Sequence, residues 1–144
     1  ISTPEAIGHT KGFISENTKS NASTPYAISH LVQDLTLSAY FRFNKFPFVI
    51  SRFANFYGAH QQPHRIIPKT LYCIFNKKKL LLHGGGTTIR SFIYIDDFCE
   101  GIYKSMTKGR LGEIYNFTNR EYVSIAWLVK KICFLTKSIL VIPR

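Results

Sequence analysis

Ser23-Thr24-Pro25-Tyr26-Ala27-Ile28-Ser29-His30-Leu31-Val32, followed a helix-length later by Phe46-Pro47-Phe48-Val49-Ile50-Ser51, decides the fold class. The first stretch reads as a helix start. Thr24 is placed to cap it, and Pro25 suits the first helical position, where a missing N–H goes unnoticed. Ile28, Leu31, Val32, Leu35 and Ala39 recur at helical spacing, so a buried stripe is expected on a helix running to about Asn44. The second stretch is apolar without alternation, broken only by Pro47. Such a strand is buried on both faces, which is the setting of a parallel sheet.

The same grammar continues along the chain. Ile1 to Thr3 read as the end of a strand, and residues 8–22 as a polar loop. Asn55 to His64 read as a loop, and Ile66 to Asn76 as a helix with Pro68 in its first turn. Leu80 to Leu82 are expected to form a short strand, Gly84-Gly85-Gly86 a turn, and Ile89 to Ile95 another strand. Asp96 or Asp97 would cap a helix whose Cys99, Ile102, Tyr103 and Met106 share a face. Glu113 to Phe117 read as a strand. Ser124 opens a helix with Ile125, Leu128, Val129 and Ile132 as its stripe, and Ile139 to Ile142 read as a strand. Helices alternating with strands indicate an α/β fold.

At 144 residues, 45% hydrophobic and 15% aromatic, the chain has the material for a real core and not the composition of a disordered one. Its first residues already read as a buried strand end, so it is read as an internal fragment of a longer protein. No apolar run approaches the ~18 residues of a membrane span, and no signal-peptide pattern opens it, so no membrane partner is expected. Cys73, Cys99 and Cys133 are odd in number and far apart. They read as buried free thiols in a reducing, cytoplasmic compartment, with no metal site. The net charge of +11 is densest at Lys77-Lys78-Lys79. That run is either a nucleic-acid surface or a solvated helix end. The remaining charges are scattered and no nucleic-acid motif accompanies them, so no nucleic-acid partner is expected. A polyanionic small substrate accounts for the sign.

Four blocks carry chemistry. They are Ser2-Thr3-Pro4-Glu5, Tyr26 with His30 one helical turn on, Arg52-Phe53-Ala54-Asn55-Phe56-Tyr57-Gly58, and His83-Gly84-Gly85-Gly86-Thr87-Thr88-Ile89-Arg90-Ser91-Phe92-Ile93-Tyr94-Ile95-Asp96-Asp97. In this order the chain resembles the NAD-dependent epimerase/dehydratase family of extended short-chain dehydrogenases, with the sugar-nucleotide 4,6-dehydratases as the nearest pattern. The resemblance implies a partial doubly wound parallel, Rossmann-like sheet plus a smaller substrate-binding domain. Residues 1–52 would be the end of the dinucleotide-binding domain. Residues 53–144 would be mostly substrate-binding domain with returning sheet elements. It also implies NAD as cofactor, a nucleotide-diphosphate sugar as substrate, and a homodimer to which the Tyr26 helix contributes.

The resemblance further implies roles. Sugar C4 is oxidised, a proton leaves C5, water leaves C6, and the hydride returns at C6. Tyr26 would take the proton of the C4 hydroxyl, Thr3 would hydrogen-bond that oxygen, and Glu5 would remove the C5 proton. Tyr26, His30 and Asn55 would meet the cofactor. Asn55, Arg65, His83 and Arg90 would meet the substrate, the arginines at its diphosphate, where a planar fork of donors suits the oxygens. The plain alternatives are a helix-face tyrosine, a solvated glutamate, a turn asparagine and surface arginines. Two positions depart from the family. Pro4 stands where 4,6-dehydratases commonly place an aspartic acid that protonates the departing hydroxyl. His30 stands where the family has a lysine, a permanent cation that favours the phenolate and holds the nicotinamide ribose. Histidine, with an ordinary pKa of ~6.5, is a weaker substitute near neutrality. Epimerisation, which needs no such acid, stays open beside dehydration, as does a degenerate, non-catalytic binding or scaffold protein. Gly84-Gly85-Gly86 is not a dinucleotide fingerprint, which needs G-x-G-x-x-G between a strand and a helix. In the family that motif lies upstream of the position matched by Ile1.

Overall fold

Thr24 and Pro25 start the longest helix as their chemistry dictates: Thr24 Oγ1 accepts from Ala27 N at 3.1 Å, and Pro25 is the first helical residue. The computed structural model describes residues 1–8 and 14–139. Its elements are α1 (Pro25–Asn44), β1 (Ile50–Phe53), β2 (Asn55–Tyr57), α2 (Ile66–Phe75), β3 (Ile89–Arg90), β4 (Phe92–Tyr94), α3 (Ile95–Lys108), β5 (Ile114–Phe117), β6 (Val123–Ser124) and α4 (Ile125–Leu135). Tight 3-10 turns occupy Pro4–Ala6 and His83–Gly86. The chain divides into two units. The first is Ile1–Phe56 with Ile93–Thr118; the second is Tyr57–Phe92 with the described residues from Asn119 onward.

In the first unit β1 is central and parallel, the pairing expected of a strand in this stretch. It pairs with β5 from Ile50–Ile114 to Phe53–Phe117. On its other edge Ser2 pairs in parallel with Arg52, and Ser2 N donates to Ser51 O at 2.9 Å. All four β1 residues are buried. Alternate side chains leave a strand on opposite faces. Ser51 and Phe53 meet α3: Ser51 Oγ donates to Ser105 Oγ at 2.9 Å, and Ser105 Oγ donates to Gly101 O at 2.8 Å. Phe53 stacks on Phe117 at 4.6 Å and leans on Phe98 at 4.2 Å. Gly101 admits these rings, because a Cβ there would lie 3.0–3.2 Å from Phe53 and Phe117. Arg52 leaves the other face and meets Asp34 of α1.

In the second unit α2 packs on α4 around Cys73, Leu80 and Val129, with Ile66, Leu82, Ile125 and Cys133 at the margin. Ser124 Oγ caps α4 by accepting from Trp127 N at 3.1 Å. β3 and β6 pair antiparallel.

Several expectations need correction. The inward face of α1 carries Ala27 and Asp34, while Ile28, Val32 and Leu35 are about half exposed. Apolar spacing exists on more than one side of this helix, and the ion pair at Asp34 selects the inward one. On α3 the buried residues are Gly101 and Ser105; Tyr103, Met106 and Cys99 are exposed. Small residues win there because the helix lies close on the Phe53 and Phe117 rings. The α3 N-cap is Tyr94, with no side-chain cap, and Asp96 and Asp97 sit in the first turn, where a negative charge suits the helix dipole. The β1 strand begins at Ile50 rather than Phe46, and Asn55 to Tyr57 are strand rather than loop. Leu80 is a core residue outside any strand. The strand expected over Ile89 to Ile95 breaks at buried Ser91, whose Oγ donates to Asn119 O at 3.1 Å and accepts from Asn119 N at 3.2 Å. Ile139 is exposed and not in a strand. The rest of that segment, and part of the 8–22 loop, lie outside the described residues.

The lysine run is a helix end. Lys78 Nζ donates to Tyr72 Oη at 2.9 Å, and this bond lifts the Lys78 amine above its ordinary pKa. All three cysteines are free. Among the described residues no helix is long and apolar enough to cross a membrane.

Lys45 ends α1 in the left-handed region, with φ 56°, and its N–H donates to Phe41 O at 3.0 Å. A side chain there carries a steric cost that glycine avoids. Lys45→Gly is therefore expected to stabilise the fold by about 0.5–1 kcal/mol, read as a raised denaturation midpoint. A lowered midpoint would contradict the cap assignment.

Candidate active site

The strand end at Ser2 runs directly into a turn that presents two reactive side chains. Thr3 is extended and caps the Pro4–Ala6 turn, its Oγ1 accepting from Glu5 N at 3.3 Å. Pro4 takes the first position of that turn, where proline's fixed φ is an advantage. Ala6 N donates to Thr3 O at 3.1 Å, and Ala6 and Ile7 are fully buried, so the turn is pinned from below. Glu5 is exposed above it. With its own hydrogen free, the Thr3 hydroxyl keeps a donor for a ligand.

Helix α1 packs against this turn, with Ala27 buried in its first turn. Tyr26, the residue before, is 55% exposed. Its ring makes a T-shaped contact with the His30 imidazole at 4.6 Å. His30 is half-buried, and its Nδ1 is buried without a hydrogen-bond partner. A buried ring nitrogen without a partner is a costly arrangement.

One turn beyond His30, the same helix buries a carboxylate. Asp34 Oδ2 accepts from Arg52 Nε at 3.0 Å and from Nη2 at 2.8 Å, and the two side chains are 3% and 5% exposed. Neither residue was singled out as functional from sequence. The sequence shows an acid among the apolar positions of α1, four residues after His30, and an arginine directly after the apolar run of Phe46 to Ser51. On the Arg52 face of the sheet, Ser2 Oγ and both side-chain atoms of Asn116 are also buried without partners.

The other candidates are placed as follows. Asn55 opens β2 in the first unit and is exposed. Arg65, His83 and Arg90 belong to the second unit and are all exposed. Arg65 precedes α2, its carbonyl accepting from Lys69 N at 2.9 Å. His83 begins the glycine turn, where Gly84 and Gly85 take φ of 56° and 64°. Arg90 lies in β3, and its Nη1 donates to Ile89 O at 2.9 Å. The structure thus brings Thr3 together with Glu5, and Tyr26 with His30, on elements that pack within one unit. Among the described residues no group of His, Cys, Asp or Glu is arranged to hold a metal.

Known proteins resemble this chain over most of its length. The model of the NAD dependent epimerase/dehydratase family matches residues 1–117. The human dTDP-D-glucose 4,6-dehydratase is 34% identical over 139 residues, covering 95% of this chain and 39% of that protein. The dTDP-glucose 4,6-dehydratase of Neisseria gonorrhoeae is 30% identical over 142 residues, covering 96% and 41%. The crystal structure of dTDP-glucose 4,6-dehydratase from Bacillus anthracis in complex with NAD superposes with a TM-score of 0.92 at 29% identity, over 99% of this chain and 48% of that one. The UDP-glucuronic acid 4-epimerase from Bacillus cereus, in complex with UDP-glucuronic acid and NAD, gives a TM-score of 0.92 at 25% identity, over 99% and 46%. The chain spans about two-fifths of the length of the curated relatives it matches. With the strand-end Thr3 and Glu5, the Tyr26 helix and the parallel β1–β5 pair all inside the matched residues, the chain belongs to the NAD dependent epimerase/dehydratase family.

Proposed function

We propose that this chain carries the proton-transfer groups of an NAD-dependent sugar-nucleotide 4,6-dehydratase or epimerase. The observation that carries the reading is exposed Tyr26, in contact with His30, on a helix packed against the turn that presents Thr3 and Glu5. Tyr26 takes the proton of a sugar hydroxyl, and Thr3 donates a hydrogen bond to the same oxygen. Glu5, on the exposed side of its turn, removes the proton next to the carbonyl so formed. Tyr26, His30 and Asn55 would hold the nicotinamide end of NAD. NAD, when bound, supplies the reversible hydride acceptor.

Residues 1–52 are read as the end of the dinucleotide-binding domain. Residues 53–144 are read as mostly substrate-binding domain, with β5 a returning sheet element. Arg90 and Arg65 would hold the diphosphate of a nucleotide sugar, and His83 would pack on its base. Among the described residues no glycine-rich strand-to-helix turn is available for a cofactor pyrophosphate, so the 144-residue chain alone is read as inactive. Three free cysteines agree with a cytoplasmic location.

Pro4 bears on which reaction is run. It serves its turn well and has no proton to give. In a dehydration Glu5 must then deliver its abstracted proton to the departing hydroxyl; in an epimerisation no acid is needed at that place. Pro4 and His30 together favour the second reading, a binding protein that has lost catalysis.

The outward stripe of α1 is read as the contact with a second copy. Ile28, Val32, Leu35 and Phe43 are 46%, 55%, 57% and 84% exposed. Apart from His30, the only charged side chains on α1 are Asp34, held by Arg52, and Arg42. A second α1 therefore meets little like-charge repulsion, despite the net charge of the chain. Val32→Glu is expected to turn a dimer into a monomer by sedimentation. A monomeric unmodified protein, or a variant that stays dimeric, would contradict this contact.

The catalytic reading is tested at position 30 of the natural gene product. His30→Lys is expected to raise the initial rate at neutral pH, by roughly tenfold, and to flatten its dependence on pH, since lysine stays charged where histidine does not. His30→Ala is expected to lower it. Rates are measured with NAD and a panel of nucleotide sugars, beside the 144-residue chain, which should show none. If all the full proteins bind nucleotide sugars and turn over none, the enzyme reading falls and the binding-protein reading replaces it.

A further inference from the structure

We infer that the buried Asp34–Arg52 pair is a positioning device that sets Tyr26 and His30 against Thr3 and Glu5. The inference deepens the function proposed above and rests on it for its kinetic consequence only.

The pair joins the two halves of the site. Asp34 follows Tyr26 by eight residues and His30 by four, so the three lie along one side of α1. Arg52 lies in β1, directly beside Ser2 across the sheet, and Ser2 is the residue before Thr3. A single ion pair therefore ties the tyrosine helix to the strand position from which the Thr3–Glu5 turn departs. Its geometry is narrow. Nε and Nη2 converge on one oxygen, Oδ2, at 3.0 and 2.8 Å, which fixes the plane of the guanidinium as well as its distance.

Two features say that orientation rather than stability is what the pair supplies. First, the neighbours of Arg52 in its own row, Ser2 Oγ and the Asn116 amide, are buried polar groups without partners, and Asn116 Oδ1 and Ser2 Oγ could accept from it. The guanidinium nevertheless directs its donors off the sheet to the helix. Second, α1 is apolar on more than one side: Ala27 is buried and Leu31 partly buried, while Ile28, Val32 and Leu35 are about half exposed. Turning the helix about its axis would exchange one apolar face for another at little cost, and would move Tyr26 and His30 relative to the turn on which the helix packs. A buried carboxylate that must meet Arg52 forbids that rotation. Buried polar residues fix register in this way where hydrophobic packing leaves it open.

The test separates placement from stability with an apolar replacement of similar size, Asp34→Leu with Arg52→Met. In the 144-residue chain this double variant is expected to melt at or above the temperature of the unmodified chain. Backbone hydrogen exchange at Ser2, Ala6 and Ile7 should nevertheless quicken about tenfold relative to Val129 in the second unit. In the natural gene product the same variant should lose roughly tenfold to a hundredfold in kcat, with KM little changed. Asp34→Glu, which keeps a carboxylate for Arg52, should fall between the two. If the double variant keeps both its exchange protection and its kcat, the positioning role is overturned. If the unmodified gene product has no turnover, the enzyme reading fails, and the exchange measurement still decides the positioning role.

Discussion

A guanidinium and a carboxylate removed from water together are the constraint on which the first unit depends. Arg52 can be buried in the middle of β1 only because Asp34 meets it, and Asp34 can be buried on α1 only because Arg52 is there. Removing one partner would leave an unpaired charge inside, at a cost of roughly 3–5 kcal/mol. The consequences run outward. With Arg52 directed at α1, the alternate residues Ser51 and Phe53 are left for α3, and β1 is covered on both faces. The helix so held carries Tyr26 and His30, and the strand beside Arg52 leads into Thr3 and Glu5.

Pro4 and His30, the two positions read as departures from the family pattern, each have a local physical setting. Proline at position 4 suits the first residue of a tight turn capped by Thr3, and it has no proton to donate. Histidine at position 30, read as standing where the family has a lysine, lies one helical turn from Tyr26 on α1. It is shorter, it contacts the Tyr26 ring, and it leaves one nitrogen buried and unmet. Asp34, the nearest carboxylate along the helix, is engaged by Arg52.

Much of the fold was legible in the sequence because its signals are local. Thr24-Pro25 and Ser124 cap helices through their own hydroxyl or ring, and the unbroken apolar run before Arg52 marks a doubly covered strand. What escaped depends on partners far away in the chain. The inward side of α1 is chosen by Arg52, eighteen positions past Asp34, and not by the helix's own apolar spacing. The inward side of α3 is chosen by the Phe53 and Phe117 rings, which demand glycine at 101. The break at Ser91 is made by Asn119, twenty-eight positions on. For the site, Thr3, Glu5, Tyr26 and His30 were visible as residue types at telling spacings. Asp34 and Arg52 were not, since each looks out of place until the other is seen.

The most direct measurement is a crystal structure of the natural gene product with NAD and a nucleotide-diphosphate sugar bound. The account predicts the Tyr26 hydroxyl and Thr3 Oγ1 on one sugar oxygen, with the Glu5 carboxylate beside the adjoining ring carbon and the Asp34–Arg52 pair intact beneath them. A sugar bound away from Tyr26, or a Tyr26 side chain directed away from the Thr3–Glu5 turn, would contradict it.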